Sequence, residues 1–203
     1  MREQRFEFSG GDLGLDFANT VGGTRSSPTE HLGAYADLLA WAREADIIDA
    51  PQEKRLRREA EKHPQEAARA FRRATELREA IFRIFDQRAK GRGVPADDLA
   101  ILDREAREAN AHRALKRRSD GGVEYSWSSE EQLDAPTWRV AQAATDLLLS
   151  DVGVVKECAS DTCDWLFVDR SRNRTRRWCD MRECGNRAKV RRYHARLRSG
   201  RRS

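Results

Sequence analysis

Apolar residues recur at helical spacing along most of the first 154 positions of the chain. The longest such stretch runs from residue 65 to 90, and its apolar positions repeat about every 3.5 residues. This pattern predicts a long helix that buries one face and ends before Gly91. Shorter helices are predicted at 52–63, from 95 to about 109, and from Pro136 onward. The inward side chains of the last helix are predicted to be Trp138, Ala141, Thr145 and Leu148.

A further helix is predicted to begin at Ser27, because Ser27-Pro28-Thr29-Glu30 has the capping-box spacing with proline at the first helical position. Its inward residues would be Leu32, Tyr35, Leu38, Leu39 and Trp41. After the helix predicted to end near residue 109, the spacing of apolar residues changes from helical to alternating. This change predicts a β-hairpin with strands at 114–117 and 123–127, connected by an Asp-Gly turn. Residues 1–154 are therefore predicted to form a mainly helical domain with a small β-hairpin, within an α+β fold.

The last quarter of the chain has a different pattern. The apolar run of residues 164–169 is rich in strand formers, and the arginine-rich segment 170–178 follows it after a short polar turn. These two segments are predicted to pair as a hairpin, on which alternate arginines would share one face. Beyond residue 184, Val190, Tyr193 and Leu197 recur at helical spacing, so a helix is predicted here with that stripe packed inward.

Four cysteines occur in the chain, all within this last quarter: Cys158, Cys163, Cys179 and Cys184. Four residues separate the members of each pair and fifteen separate the pairs, a spacing that predicts one structural, tetrahedral Zn²⁺. Two disulfides or an iron centre are alternatives, but the chain shows no apolar signal core and no common ferredoxin spacing. Residues 155–203 are thus predicted to form a treble-clef-like zinc finger with four cysteine ligands, in which Trp165, Phe167 and Trp178 cover the metal.

Positive charge is concentrated in this predicted finger. From residue 155 onward there are fifteen Lys or Arg and six Asp or Glu, a balance of +9, so residues 1–154 carry −4 of the chain's +5. Such a local field favours nucleic acid, and double-stranded DNA is the predicted partner. The predicted contact residues are Arg170, Arg172, Arg174, Arg176, Arg177, Arg187, Lys189, Arg191 and Arg192. For the alternating residues Arg170, Arg172, Arg174 and Arg176, the alternatives are pairing with Asp161, Asp164 and Asp169 or simple solvation.

Several other function classes receive less support. No stretch reaches the length of a membrane span and the start lacks an apolar signal core, so a soluble, cytoplasmic protein is expected. A closed four-sulfur site leaves no coordination position for water or substrate, so no enzymatic activity is expected. Near the start, Asp16, Asn19 and Thr20 are candidates for a small-ligand pocket, although side chains of this kind also satisfy backbone groups at a helix end.

Two motifs resemble those of known families. Cys158, Cys163, Trp178-Cys179 and Cys184-Gly185-Asn186-Arg187 resemble the CGNR zinc finger, which is named after the final tetrapeptide. Leu15-Asp16-Phe17-Ala18-Asn19-Thr20 is similar to the opening signature of the ABATE domain. The resemblance implies a bacterial, zinc-dependent DNA-binding transcription regulator with the four cysteines as ligands. The front domain would dimerise or sense a small-molecule effector.

Two other partners remain open for the basic finger. It is also suited to an acidic protein partner, in which case the finger would be an interaction module. RNA is the third candidate, because Tyr193 and the tryptophans would stack on bases wherever they are exposed.

Overall fold

The computed structural model describes residues 5–128, 131–150 and 154–200, with only the backbone at 195, 196 and 198–200. Within these ranges the helices are α1 (Leu13–Ala18), α2 (Tyr35–Glu44), α3 (Ala50–Lys62), α4 (Pro64–Ala89), α5 (Ala96–Ala111), α6 (Ala135–Leu149) and α7 (Asn186–Gly200). The strands are β1 (Val21–Thr24), β2 (Ser27–Glu30), β3 (Arg113–Arg117), β4 (Val123–Trp127), β5 (Val154–Glu157) and β6 (Leu166–Asp169). They form three antiparallel pairs, β1 with β2, β3 with β4, and β5 with β6.

Helix α4 lies at the centre of the helical domain, and α1, α2, α5 and α6 all contact it. Its apolar face is buried along most of its length, with Leu77, Ile81 and Ile84 fully inaccessible to solvent. The short helix α1 approaches α6 very closely at Gly14, where an added Cβ would lie 2.9 Å from the Cβ of Ala144. Only glycine permits this approach, which places the end of α1 against the C-terminal part of the chain.

Most of the predicted helices are confirmed, as is the β3–β4 hairpin. The predicted buried stripe of α6 is partly wrong. Trp138 and Ala141 are buried as predicted, but Val140, Ala144 and Leu147 complete the buried face in place of Thr145 and Leu148, which are half-buried. The buried face is wider than the four predicted positions, because α6 packs between α1 and α5.

The predicted helix start at Ser27 is wrong. Residues 27–30 form β2, which pairs with β1, and the helix begins only at Tyr35. The carboxylate of Glu30 does not reach back to cap a helix, because Arg78 on α4 holds both of its oxygens at 2.7 Å. The predicted inward residues from Leu32 to Trp41 are nevertheless buried, so the pattern identified the core face correctly.

The predicted pairing of 164–169 with 170–178 is also wrong. Strand β6 pairs with β5, so the two strands flank the first cysteine pair, and no strand occurs among the described residues 170–178. The carboxylate of Asp169 accepts hydrogen bonds from the Ser171 N–H and hydroxyl and from the Arg176 N–H, at 2.6–3.0 Å. These bonds fold 170–178 into a compact loop, hereafter the arginine loop, in place of a second strand.

Strand β6 connects the helical domain to the zinc finger. Leu166 and Val168 belong to the main core, whereas Phe167 points to the opposite side and packs with the four cysteines. This is the two-residue alternation of a strand that is buried on both faces. The boundary predicted at 154/155 therefore lies at the start of a strand pair that is part of the main core. Within the described ranges, no helix combines the length and the apolar character that a membrane span requires.

Candidate metal centre and nucleic-acid interface

The four cysteine sulfurs lie together beneath Phe167, all within 4.8 Å of one another. The Sγ atoms of Cys163 and Cys179 are 3.7 Å apart, and those of Cys179 and Cys184 are 3.6 Å apart. A tetrahedral zinc with Zn–S bonds of about 2.3 Å requires sulfur separations of about 3.8 Å, and a disulfide requires about 2.05 Å. The spacing fits one metal ion and excludes disulfides between these pairs. The cysteines constitute a site for one structural Zn²⁺.

Short backbone structures hold each pair of sulfurs. In the first loop, the N–H of Cys158 donates to the Trp165 carbonyl at 2.9 Å and that of Cys163 donates to the Ser160 carbonyl at 3.1 Å. In the second, Cys184 lies in a π-helical turn, Met181–Gly185, that leads directly into α7. The carboxylate of Asp180 caps this turn by accepting from the Arg182 and Glu183 N–H groups.

Gly185 closes the π turn by donating its N–H to the Asp180 carbonyl at 3.0 Å. Its φ is not positive, in contrast to that of Gly121 in the β3–β4 turn. The close neighbour of an added Cβ would be the Met181 side chain, with Sδ at 3.1 Å. Glycine therefore makes room for the thioether of Met181, which is a flexible neighbour.

Electrostatics explain why Cys163 and Cys179, which are buried beside the other two thiols, need a cation to ionise. The contact with the Cys158 sulfur raises the pKa of the Cys163 thiol. Contacts with Cys158 and Cys163, together with burial, raise the pKa of Cys179 further. A divalent metal removes this conflict because it binds all four as thiolates. The guanidinium of Arg187 adds positive charge at the rim, where it donates to Cys184 Sγ at 2.9 Å.

Direct hydrogen bonds join the finger to the helical domain. The Asn19 side chain binds both backbone groups of Leu166, with its amide nitrogen 2.9 Å from the carbonyl oxygen and its own oxygen 3.0 Å from the backbone nitrogen. The Trp165 indole donates to the Val21 carbonyl at 2.9 Å. Asp164 accepts from the Arg25 N–H at 2.7 Å. These contacts dock the metal centre against α1 and the β1–β2 hairpin.

The predicted ligand-pocket residues are buried, but their polar atoms bind backbone groups. Thr20 donates to the Phe17 carbonyl at 2.7 Å, and Asp16 accepts from the Gly10 N–H at 2.7 Å. Burial raises the pKa of Asp16 to about 7. Asn19 and Thr20 line a cavity of about 60 Å³, and Asp16 is not among the residues that line it.

A larger cleft of about 340 Å³ lies beside the metal centre, between the β1–β2 hairpin and the finger. Its walls include His31 and Gly22 on one side and Trp165, Cys163 and Arg187 on the other. The small cavity shares His31 and Trp165 with this cleft. The space near Asn19 and Thr20 therefore lies mainly where the helical domain meets the finger. The sequence pattern around α1 does not predict this location, because much of the lining comes from the finger.

Most cations of the arginine loop are exposed, and the carboxylates of Asp161 and Asp169 form ion pairs with cations outside the loop. Asp161 pairs with Arg191 at 2.6 Å, and Asp169 pairs with Lys156 at 2.7 Å. In the described part of the chain, no ion pair involves the predicted contact residues Arg170, Arg172, Arg174 and Arg177. Their proposed alternative pairing with Asp161, Asp164 and Asp169 is therefore absent from this loop.

Arg176 differs from the other arginines of the loop because its guanidinium points into the protein. It donates to the carbonyls of Ser9 at 2.9 Å and Trp178 at 3.0 Å, and also to the carbonyl of Cys179. Its charged carbon lies 4.4 Å from the centre of the Phe167 ring. The sequence pattern predicts that Arg176 shares one face of a strand with Arg170, Arg172 and Arg174. This prediction is wrong because the segment is a loop.

Among the side chains that the structure describes, those of α7 that bind the finger lie in the first turns of the helix. Arg187 reaches Cys184, and Arg191 binds Asp161 and the Ser160 hydroxyl. The inward stripe predicted for this helix is wrong, because Val190, Tyr193 and Leu197 are 47%, 61% and 50% exposed. The arginines that anchor the helix lie on a different face, and they determine which side of the helix faces the finger. Lys189 and Arg192 are exposed.

Comparison with protein families agrees with this architecture. Residues 11–151 match the model of ABATE, described as a putative stress-induced transcription regulator. Residues 155–197 match the model of the CGNR zinc finger. No curated protein matches the sequence.

Proposed function

Because the chain belongs to the ABATE family and ends in a CGNR zinc finger, we propose that it is a transcription regulator that binds double-stranded DNA. The observation that carries this proposal is the arginine loop, in which Arg170, Arg172, Arg174 and Arg177 are exposed beside a folded metal centre. Unpaired cations on a rigid support are what phosphate contacts require.

The salt dependence of binding tests the electrostatic part of the proposal. With about five to eight phosphate contacts, the logarithm of the affinity should fall against the logarithm of salt concentration with a slope of about −4 to −7. The double variant Arg170→Ala, Arg172→Ala should bind all duplexes more weakly and reduce the slope by about two. A matched control is Arg55→Ala with Arg58→Ala, which removes two exposed charges from α3. Equal losses in both variants would contradict a specific role for the loop.

Nuclease treatment and competition experiments separate DNA from the other partners. An acidic protein partner would be retained by the full-length protein after nuclease treatment, and single-stranded RNA would compete with duplex DNA at equal concentration. The metal site offers four sulfurs and no open position, so we propose a structural and not a catalytic role for zinc.

We also propose that the front domain senses a small-molecule effector, for which the 340 Å³ cleft offers room. A ligand in this cleft would contact both the β1–β2 hairpin and the finger. Thermal unfolding in the presence of a metabolite library, repeated with His31→Ala, measures such binding. Dimerisation through the front domain stays a prediction, and light scattering of the purified protein tests it.

A further inference from the structure

The outward face of α7 combines one polar and three apolar side chains. At 100° per residue, Asn186, Val190, Tyr193 and Leu197 fall within about 60° of one another. All four are exposed. The finger contacts a different side of the helix, through Arg187 and Arg191. No hydrogen bond of the Asn186 side chain occurs among the described residues, so its amide is available for an external partner.

The charge of this segment specifies the chemistry of the partner. Beyond Glu183 the chain contains no Asp or Glu, and eight of its last twenty residues from Cys184 onward are Lys or Arg. A second copy of α7 would be repelled by this charge, whereas a polyanion would be attracted. An exposed apolar stripe with basic flanks therefore fits a surface that is anionic at its edges and presents apolar groups between them.

The major groove of B-DNA has this arrangement, with phosphates on both sides and thymine methyl groups on its floor. It is about 12 Å wide and admits one α-helix, whose diameter with side chains is about 10–12 Å. Helix α7 has 15 residues and is anchored to the finger near its start. At about 1.5 Å per residue, its length is about 22 Å.

We propose that α7 enters the major groove and reads A·T base pairs through this outward face. The Asn186 side-chain oxygen accepts from the N6 amino group of adenine, and its amide nitrogen donates to N7. Val190 and Tyr193 contact thymine methyl groups. Lys189 and Arg192 both lie on one side of the stripe, where they contact the phosphates of one groove edge. This inference rests on the proposed DNA binding and adds to it the element and the base pairs that carry sequence preference.

The test uses full-length, zinc-loaded protein and a duplex selected from a random library. Affinity is measured for the selected duplex, for an unselected duplex, and for the selected duplex with deoxyuridine in place of thymidine. Asn186→Ala should reduce the preference for the selected duplex by about tenfold, the lower range for losing a bidentate base contact. Removing the thymine methyls should reduce wild-type affinity by about fourfold per buried methyl, and this loss should disappear in Val190→Ala with Tyr193→Ala.

Binding to the unselected duplex and its salt slope should stay unchanged in these variants, because the phosphate contacts remain. The control is Leu115→Ala with Tyr125→Ala, which removes two exposed apolar side chains from the β3–β4 hairpin. Salt-dependent binding without sequence preference, or a preference that survives both α7 variants, would overturn the assignment of α7 and leave the DNA proposal intact. Absence of binding to any duplex would overturn both.

Discussion

Replacement of Arg176 by alanine should destabilise the finger, although the sequence pattern groups this residue with the phosphate contacts. Its guanidinium satisfies the carbonyls of Ser9, Trp178 and Cys179 and lies over the ring of Phe167. Two of these carbonyls adjoin or belong to the segment that presents the third metal ligand. Loss of the side chain would therefore loosen the metal loop and its contact with the N-terminal segment.

The magnitude follows from the bonds that are lost. Each hydrogen bond to a charged group contributes about 1.5–3 kcal/mol, and the cation–π contact about 0.5–2 kcal/mol. Because the residue is only half-buried, water would replace part of this energy, and we expect a net loss of about 3 kcal/mol. For a protein of this size, that corresponds to a decrease in the unfolding temperature of about 6–12 °C.

The assay compares thermal unfolding of Arg176→Ala with that of Arg172→Ala at saturating zinc, together with the rate of zinc transfer to a chromogenic chelator. Arg172 is exposed, so its variant should stay within about 0.5 kcal/mol of the wild type and retain zinc equally long. It should differ only in affinity for DNA. If the two variants had the same unfolding temperature and the same zinc-release rate, the structural role of Arg176 would be refuted. Arg176 would then be assigned to the phosphate contacts, as the sequence pattern predicts.

Three further changes test the connection between the two parts of the chain and the burial of Asp16. Cys184→Ser should release zinc, as metal analysis would show, and should also lower the unfolding temperature of the helical domain, because β6 belongs to both cores; an unchanged helical transition would contradict this. Asn19→Ala should cost about 2–4 kcal/mol in urea unfolding, because it leaves both backbone groups of Leu166 unsatisfied, whereas Asn110→Ala on the exposed side of α5 should cost little. Burial raises the pKa of Asp16 to about 7, above its unfolded value, so the stability from its protonated form is present at low pH and is lost as the pH rises through 7. Asp16→Asn does not titrate and still accepts from the Gly10 N–H. The difference in unfolding free energy between this variant and the wild type should therefore grow by about 2 kcal/mol from about pH 5.5 to 7.5. Parallel stability curves would show that Asp16 titrates normally.

The sequence was sufficient for the features that depend on local spacing. The four cysteines define the metal site, because two short loops have few ways to arrange four thiolates around one ion. The periodicity of residues 65–90 likewise predicts α4, since a buried helical face repeats within the segment itself. These signals need no knowledge of distant parts of the chain.

The errors concern segments whose conformation depends on distant partners. The capping-box pattern at Ser27 is overridden by Arg78, which holds Glu30 from another helix. The strand partner of β6 precedes the cysteines instead of following them, and the hydrogen bonds of Asp169 are what fold the arginine loop. Asn19 appeared as a candidate ligand-binding residue, but it binds Leu166, 147 positions away. No local pattern in α1 carries that information.

Burial of β6 on both faces determines which finger surfaces remain for a partner. All four of its residues are buried, between the helical core on one side and the metal centre on the other. The exposed surfaces that remain include the arginine loop and α7, and both segments carry exposed cations and few free carboxylates. Crowding like charges opposes folding, so it must be offset by metal binding, for which apparent free energies of about 10–16 kcal/mol are typical. Zinc binding thus stabilises the finger against the mutual repulsion of its arginines and lysines. A polyanion is the partner that would neutralise these cations and reduce the repulsion.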